Sequence, residues 1–225
     1  MSQRTLVVGD IHGCAQELEA LVASANPTHI IVTGDLFTRG PDPLGVWQLL
    51  AFWDRTKELN GVLGNHDQRL LDVVNGNIAD QQPITDTIIA LSKEGNAWAE
   101  WLQHRPVFLK VGAFTVVHAG LHPYEGQPGT SKEMAQNLRH WPFGRTEGPL
   151  WHAKYTAQER VIFGHDARRG LVRIERDGLP WIVGLDSGCV YGGRLSGYLI
   201  EEDRLYSVRA KDMYVDPTRV QKRTN

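Results

Sequence analysis

The chain has little cysteine, little net charge and no long apolar run, and each shortage removes a class of protein. Two cysteines in 225 residues, Cys14 and Cys189, cannot build a disulfide framework or a CxxC site. A reducing, cytoplasmic setting is the simpler expectation for such a chain. A net charge of −2 supplies no global field for nucleic acid or an anionic membrane, so neither DNA nor a membrane is expected as a partner. No apolar stretch is long enough to cross a bilayer, and Leu6-Val7-Val8 is too short for a signal-peptide core. Repeats and low-complexity tracts are missing too. One domain over 1–214 is expected, with a helical, cap-like insertion at 75–106 and a polar tail at 215–225.

The chain is instead rich in histidine and tryptophan, nine and seven residues. Where the histidines fall decides the reading. Val62-Leu63 ends at Gly64-Asn65-His66-Asp67, three polar side chains that make a poor strand and a poor helix interior. One reading is a helix start capped by Asn65 or Asp67; the other is a functional loop. Four more apolar runs end the same way. Thr5–Val8 is followed by Gly9-Asp10-Ile11-His12-Gly13, and His29–Thr33 by Gly34-Asp35. Phe114–Val117 is followed by His118-Ala119-Gly120, and Arg160–Phe163 by Gly164-His165-Asp166. Apolar runs alternating with helical periods predict a largely parallel sheet, whose ligands bind beyond the carboxyl ends of the strands. The loops would therefore converge.

Two carboxylates, a carboxamide and four imidazoles form a mixed oxygen and nitrogen set suited to Mn²⁺, Fe, Co²⁺ or Zn²⁺ rather than Ca²⁺. Seven groups exceed the needs of one open site. They fit two divalent ions about 3.5–4 Å apart, with Mn²⁺ the first choice. Taken singly, each residue has a plainer use as a cap, a loop residue or a core histidine.

These motifs, together with Leu36-Phe37-Thr38-Arg39-Gly40 after Asp35, resemble the five signatures of the calcineurin-like metallophosphoesterases. The likeness runs in order from Gly9 to about Gly193. It implies an α/β fold: a four-layer α-β-β-α sandwich of two mixed sheets with a dinuclear metal site at the strand ends. It implies that Asp10, His12 and Asp35 hold one ion and Asp35, Asn65, His118 and His165 the other. His66 would be the general acid and Arg39 the phosphate clamp, its planar fork matching phosphate oxygens.

Where phosphoprotein phosphatases carry an Asp before that arginine to orient the acid histidine, this chain has Thr38. Diadenosine tetraphosphatases lack that Asp too, and Gly184–Leu195 resembles their late signature. The expected substrate is a phosphorylated small molecule, a dinucleoside polyphosphate. A serine/threonine phosphoprotein or general phosphomonoester phosphatase is the alternative, capped RNA stays open as a substrate, and a binding scaffold that has lost its metals is the remote alternative. Arg139, Arg145, Lys154 and Arg168 are candidates to meet a polyphosphate. Trp141, Phe143, Trp151 and Tyr191 are candidates to stack on a base. Cys189 reads as a packed loop residue, and Thr38, Asp67 or a backbone carbonyl as the group that orients His66.

Overall fold

Every residue of Thr5-Leu6-Val7-Val8 is buried, the mark of a strand covered on both faces. The computed structural model describes residues 3–79, 82 and 84–218. In chain order its strands are β1 (Thr5–Val8), β2 (His29–Val32), β3 (Glu58–Gly61), β4 (Phe108–Val111), β5 (Phe114–Val117), β6 (Arg160–Phe163), β7 (Val172–Arg176), β8 (Leu179–Gly184), β9 (Arg194–Leu199) and β10 (Arg204–Arg209). The helices are α1 (Ala15–Ala25), α2 (Pro43–Thr56), α3 (Asn65–Val74), α4 (Ile84–Leu91), α5 (Ala97–Gln103) and α6 (Lys132–Asn137). One sheet has the order β10-β9-β1-β2-β3 and the other β4-β5-β6-β8-β7. Each is mixed: β1, β2 and β3 are parallel with β9 antiparallel to them, and β5, β6 and β8 are parallel with β4 and β7 antiparallel at the edges.

The two-residue period sorts the side chains into layers. Leu6, Val8, Ile30 and Val32 pack outward under α1 and α2, while Val7 and Ile31 face the second sheet. There they meet Val116, Ile162 and Val183, and the alternate residues Val117, Val161 and Ile182 turn to the far side. The result is the four-layer sandwich. Its last layer is thin, consisting of the short α6 and the irregular chain around Trp151.

Within segment 75–106 the described helices α4 and α5 pack on the outer helical layer. Their Ile84, Leu91, Trp98, Ala99, Trp101 and Leu102 belong to the same core as α1 and α2, so apolar burial holds them there. The apolar run Val62-Leu63 lies just beyond its strand, which is Glu58–Gly61. Val62 N–H still reaches Val32 O (3.0 Å), but Leu63 N–H turns away to Pro106 O (3.0 Å). Pairing with β2 thus overrides the weak strand preference of Glu-Leu-Asn-Gly.

The chain end is tied back. Buried Glu17 on α1 accepts from Lys211 N–H (2.9 Å) and Tyr214 O–H (2.8 Å), and Val215 N–H donates to Val190 O (3.0 Å). Residues 219–225 of the expected polar tail lie outside the described residues. Among the described residues no helix is long and apolar enough to cross a membrane.

Candidate active site

Asn65, His66 and Asp67 open α3, with Gly64 as its N-cap. The helix-start reading is correct, and it serves the site. Asp67 is fully buried; its carboxylate accepts from Gly64 N–H (3.2 Å), Asp35 N–H (2.7 Å) and Leu36 N–H (3.0 Å). One side chain caps α3 and locks it to the loop after β2. The glycine is required for this approach, because a Cβ on Gly64 would land on the Asp35 carboxylate. Gly164 stands in the same relation to Asp10.

The loops after β1, β2, β3, β5 and β6 converge on one spot. Asp35, His118 and His165 each offer a ligand atom within 4.8 Å of the others, and so do Asp10, His12 and Asp35. Asp35 is common to both groups. His118 Nδ1 lies 2.8 Å from Thr33 O, which can only accept, so Nδ1 carries the proton and Nε2 is bare. That bare nitrogen faces Asn65 Oδ1 at 2.9 Å, Asp35 Oδ1 at 3.5 Å and His165 Nδ1 at 3.1 Å. A bare nitrogen facing the oxygens of Asn65 and Asp35 is a set of lone pairs that a cation between them would reconcile. His165 Nε2, also buried, has no protein partner. In the other group His12 Nε2 is 3.7 Å from Asp35 Oδ2, and His165 N–H donates to both oxygens of Asp10 (3.0 and 3.1 Å). These residues fit a pair of divalent cations.

Backbone strain concentrates here. Among the described residues seven that are not glycine have positive φ, and His12 (46°), Asp35 (56°), Arg39 (77°) and His165 (73°) are four of them. Each such residue costs about 1–3 kcal/mol, held by the surrounding fold.

Burial raises the pKa of Asp10 and holds His12 and His165 low; it takes His118 down to about 4 and Asp35 up to about 7. At neutral pH the imidazoles are therefore bare and ready, while Asp35 still shares a proton. A cation must displace that proton. Metal affinity is expected to climb steeply from pH 6 to 8, as Asp35 ionises through about 7, and to level off above it. Competition with a chromophoric chelator across that range measures it; a flat profile would contradict the shift.

His66 stands at the rim. Its Nδ1 is 3.0 Å from the Thr38 hydroxyl, which also lies 3.3 Å from His12 Nδ1. Of the three partners considered for His66, Thr38 is the one in contact. Burial first, then Arg39, pushes the His66 pKa well down. Arg39 lies 3.4 Å from His12 Nε2 and donates to Tyr191 O–H (2.7 Å), so Tyr191 aims the guanidinium.

Arg39, Arg139, Arg168 and Tyr191 line one cleft of ≈ 530 Å³. Arg145 lines a neighbouring recess instead. Lys154 lines neither: it is exposed on the turn Trp151–Lys154, whose position is set by Trp151 in the core. Trp151 is 1 % exposed and cannot stack on a ligand. Two participants escaped the sequence reading. Asp186 is buried at the end of β8, its pKa raised to about 6, and Asp166 pairs with Arg139 (3.6 Å) and Arg168 (3.0 Å). Val183-Gly184-Leu185-Asp186 repeats the pattern of an apolar run, a glycine and a carboxylate, a signal that was there to be used.

The calcineurin-like phosphoesterase model matches residues 3–184. The chain belongs to that family. It is therefore a metal-dependent hydrolase of phosphate esters or anhydrides, and the convergent loops are this phosphoesterase's candidate active site. It is 28% identical to the symmetrical bis(5'-nucleosyl)-tetraphosphatase of Ralstonia nicotianae, covering 84% of this chain and 86% of that protein. It is 24% identical to the asymmetrical bis(5'-nucleosyl)-tetraphosphatase PrpE of Oceanobacillus iheyensis, over 93% of each. A crystal structure described as a candidate diadenosine tetraphosphatase superposes with a TM-score of 0.77 at 30% identity, covering 94% of this phosphoesterase and 96% of that chain.

Proposed function

We propose that this chain hydrolyses phosphoanhydride bonds of dinucleoside polyphosphates such as diadenosine tetraphosphate. The observation that carries the reading is a two-part donor cluster sharing Asp35 beside a cleft with three guanidiniums, Arg39, Arg139 and Arg168. A single phosphate needs one such fork; a chain of phosphates uses several. The relatives' substrates point the same way.

Asp10, His12 and Asp35 would hold one ion, and Asp35, Asn65, His118 and His165 the other. Bound there, a pair of divalent cations supplies an acidified water and neutralises charge on the phosphoryl oxygens. Arg39, steadied by Tyr191, binds the non-bridging oxygens of the reacting phosphate. His66 shares the Thr38 hydroxyl with His12, its ring edge-on to the His12 ring, and gives its Nε2 proton to the departing nucleotide oxygen. The Thr38 hydroxyl accepts from His66 Nδ1–H and fixes the ring angle, the task an Asp performs in the phosphoprotein phosphatases. Burial and then the nearby Arg39 guanidinium keep His66 uncharged until an anionic substrate arrives, when Nε2 takes up from solvent the proton it will give. An all-oxygen-and-nitrogen donor set in a chain whose cysteines are free suits Mn²⁺ in the cytoplasm.

A substrate panel with metal-reconstituted protein tests the reading: diadenosine tetraphosphate, a phosphopeptide and an aryl phosphate. The dinucleotide is expected to show the highest kcat/KM. A phosphopeptide better by more than tenfold would replace the proposal with a protein phosphatase.

A further inference from the structure

We infer that the recess beside α6 holds the nucleoside at the far end of the substrate, stacked on Phe143, with Arg139 and Arg168 carrying the phosphates between it and the reacting centre. The inference rests on the phosphoanhydride reading above and names what lies at the other end of that substrate. The recess is ≈ 400 Å³ and is lined by Asn137, His140, Phe143 and Arg145, along with Arg139 and Arg168. The last two also line the ≈ 530 Å³ cleft that holds Arg39 and His165. Two hollows thus share one wall of guanidiniums. Each volume lies within the range of about 300–1,000 Å³ that small-molecule sites occupy.

The shared wall is a built feature. Arg139 Nη2 donates to His165 O (3.2 Å), and Arg168 Nε donates to Asp166 Oδ1 (3.0 Å), the same oxygen that faces Arg139 Nε at 3.6 Å. Buried Asp166 therefore sets both guanidiniums on the boundary, one fixed to the backbone of a candidate metal-binding residue and the other half in solvent. A substrate with one phosphate reaches Arg39 and gains nothing from this wall. A phosphate chain runs along it and delivers its far end into the recess.

What waits there is an aromatic side chain. Phe143 is half-buried, packs against the outer core and also lines the recess. The other aromatic candidates are engaged elsewhere. Trp151 is buried against Tyr155 and Phe163, Trp141 packs edge-on to His122 and Tyr124, and the Tyr191 hydroxyl belongs to Arg39. A base gripped by stacking is recognised as a π-face, so the recess takes purines of either kind with similar affinity.

Kinetics of the wild type, Phe143→Ala, Phe143→Tyr and Arg168→Ala decide it, using diadenosine tetraphosphate, diguanosine tetraphosphate, inorganic tetraphosphate and an aryl phosphate. For Phe143→Ala, KM for both dinucleotides is expected to rise about tenfold, the scale of one lost base–aromatic stack. Its preference for dinucleotide over inorganic tetraphosphate should fall by the same factor, and Phe143→Tyr should restore it. Arg168→Ala should lower kcat/KM on inorganic tetraphosphate and on the dinucleotides together, relative to the aryl phosphate. Equal losses for Phe143→Ala on all four substrates, or no change in preference, would overturn the recess while leaving the phosphoanhydride reading intact. A wild-type enzyme that cleaves the aryl phosphate but neither tetraphosphate class would overturn that reading, and the recess with it.

Discussion

Replacing His66 with Asn is expected to lower kcat by about 10²–10⁴, the range a positioned proton donor supplies, while leaving the metal content unchanged. Asn can keep a hydrogen bond to the Thr38 hydroxyl, now 3.0 Å from His66 Nδ1, so the local packing survives the change. The loss should be largest for leaving groups that need a proton, such as an alkyl phosphate, and smallest for a nitrophenyl ester whose anion leaves unaided. Single-turnover rates on both esters, with metal analysis of the same samples, make the measurement. A variant that loses an ion would show that His66 is a ligand rather than an acid.

Asp35→Asn is expected to reach further. The replacement amide can still accept from His66 N–H through Oδ1, a bond of 2.9 Å in the parent, so α3 stays docked. The lost negative charge is the one common to both donor groups. Affinity for both ions should fall by more than about 100-fold, the upper end of what losing an outer-shell partner costs. Elemental analysis after gel filtration should find both ions depleted together. Loss of one ion alone, or of none, would reject Asp35 as the bridge.

Much of this site was legible because its residues follow one rule: an apolar strand, a sharp turn, a polar donor. The rule identified Asp10, His12, Asp35, Asn65, His118 and His165, and the strand period gave the layers around them. It could not separate the tasks of Asn65, His66 and Asp67. That separation depends on the first turn of α3, where successive side chains point a third of a turn apart. Nor could it tell which arginines meet the cleft. Arg139 and Arg168 are held at the cleft by Asp166, whereas Trp151 is buried and leaves Lys154, three residues on, at the surface. The Arg139 outcome comes from a tertiary contact, with Asp166 far away in sequence, and the others from how a single short turn is seated on the core. Short-range pattern carries no record of them.

The donors are split between the two sheets. Asp10, Asp35 and Asn65 follow β1, β2 and β3, while His118 and His165 follow β5 and β6. Val7 and Ile31 on one side, and Val116, Ile162 and Val183 on the other, form the apolar filling between. That filling is a gauge block. Its thickness, set by the size of a few aliphatic side chains, dictates how far apart the two halves of the centre stand. A methyl group added or removed at Ile162 would therefore act on the reaction from inside the hydrophobic interior, by re-spacing groups it never touches.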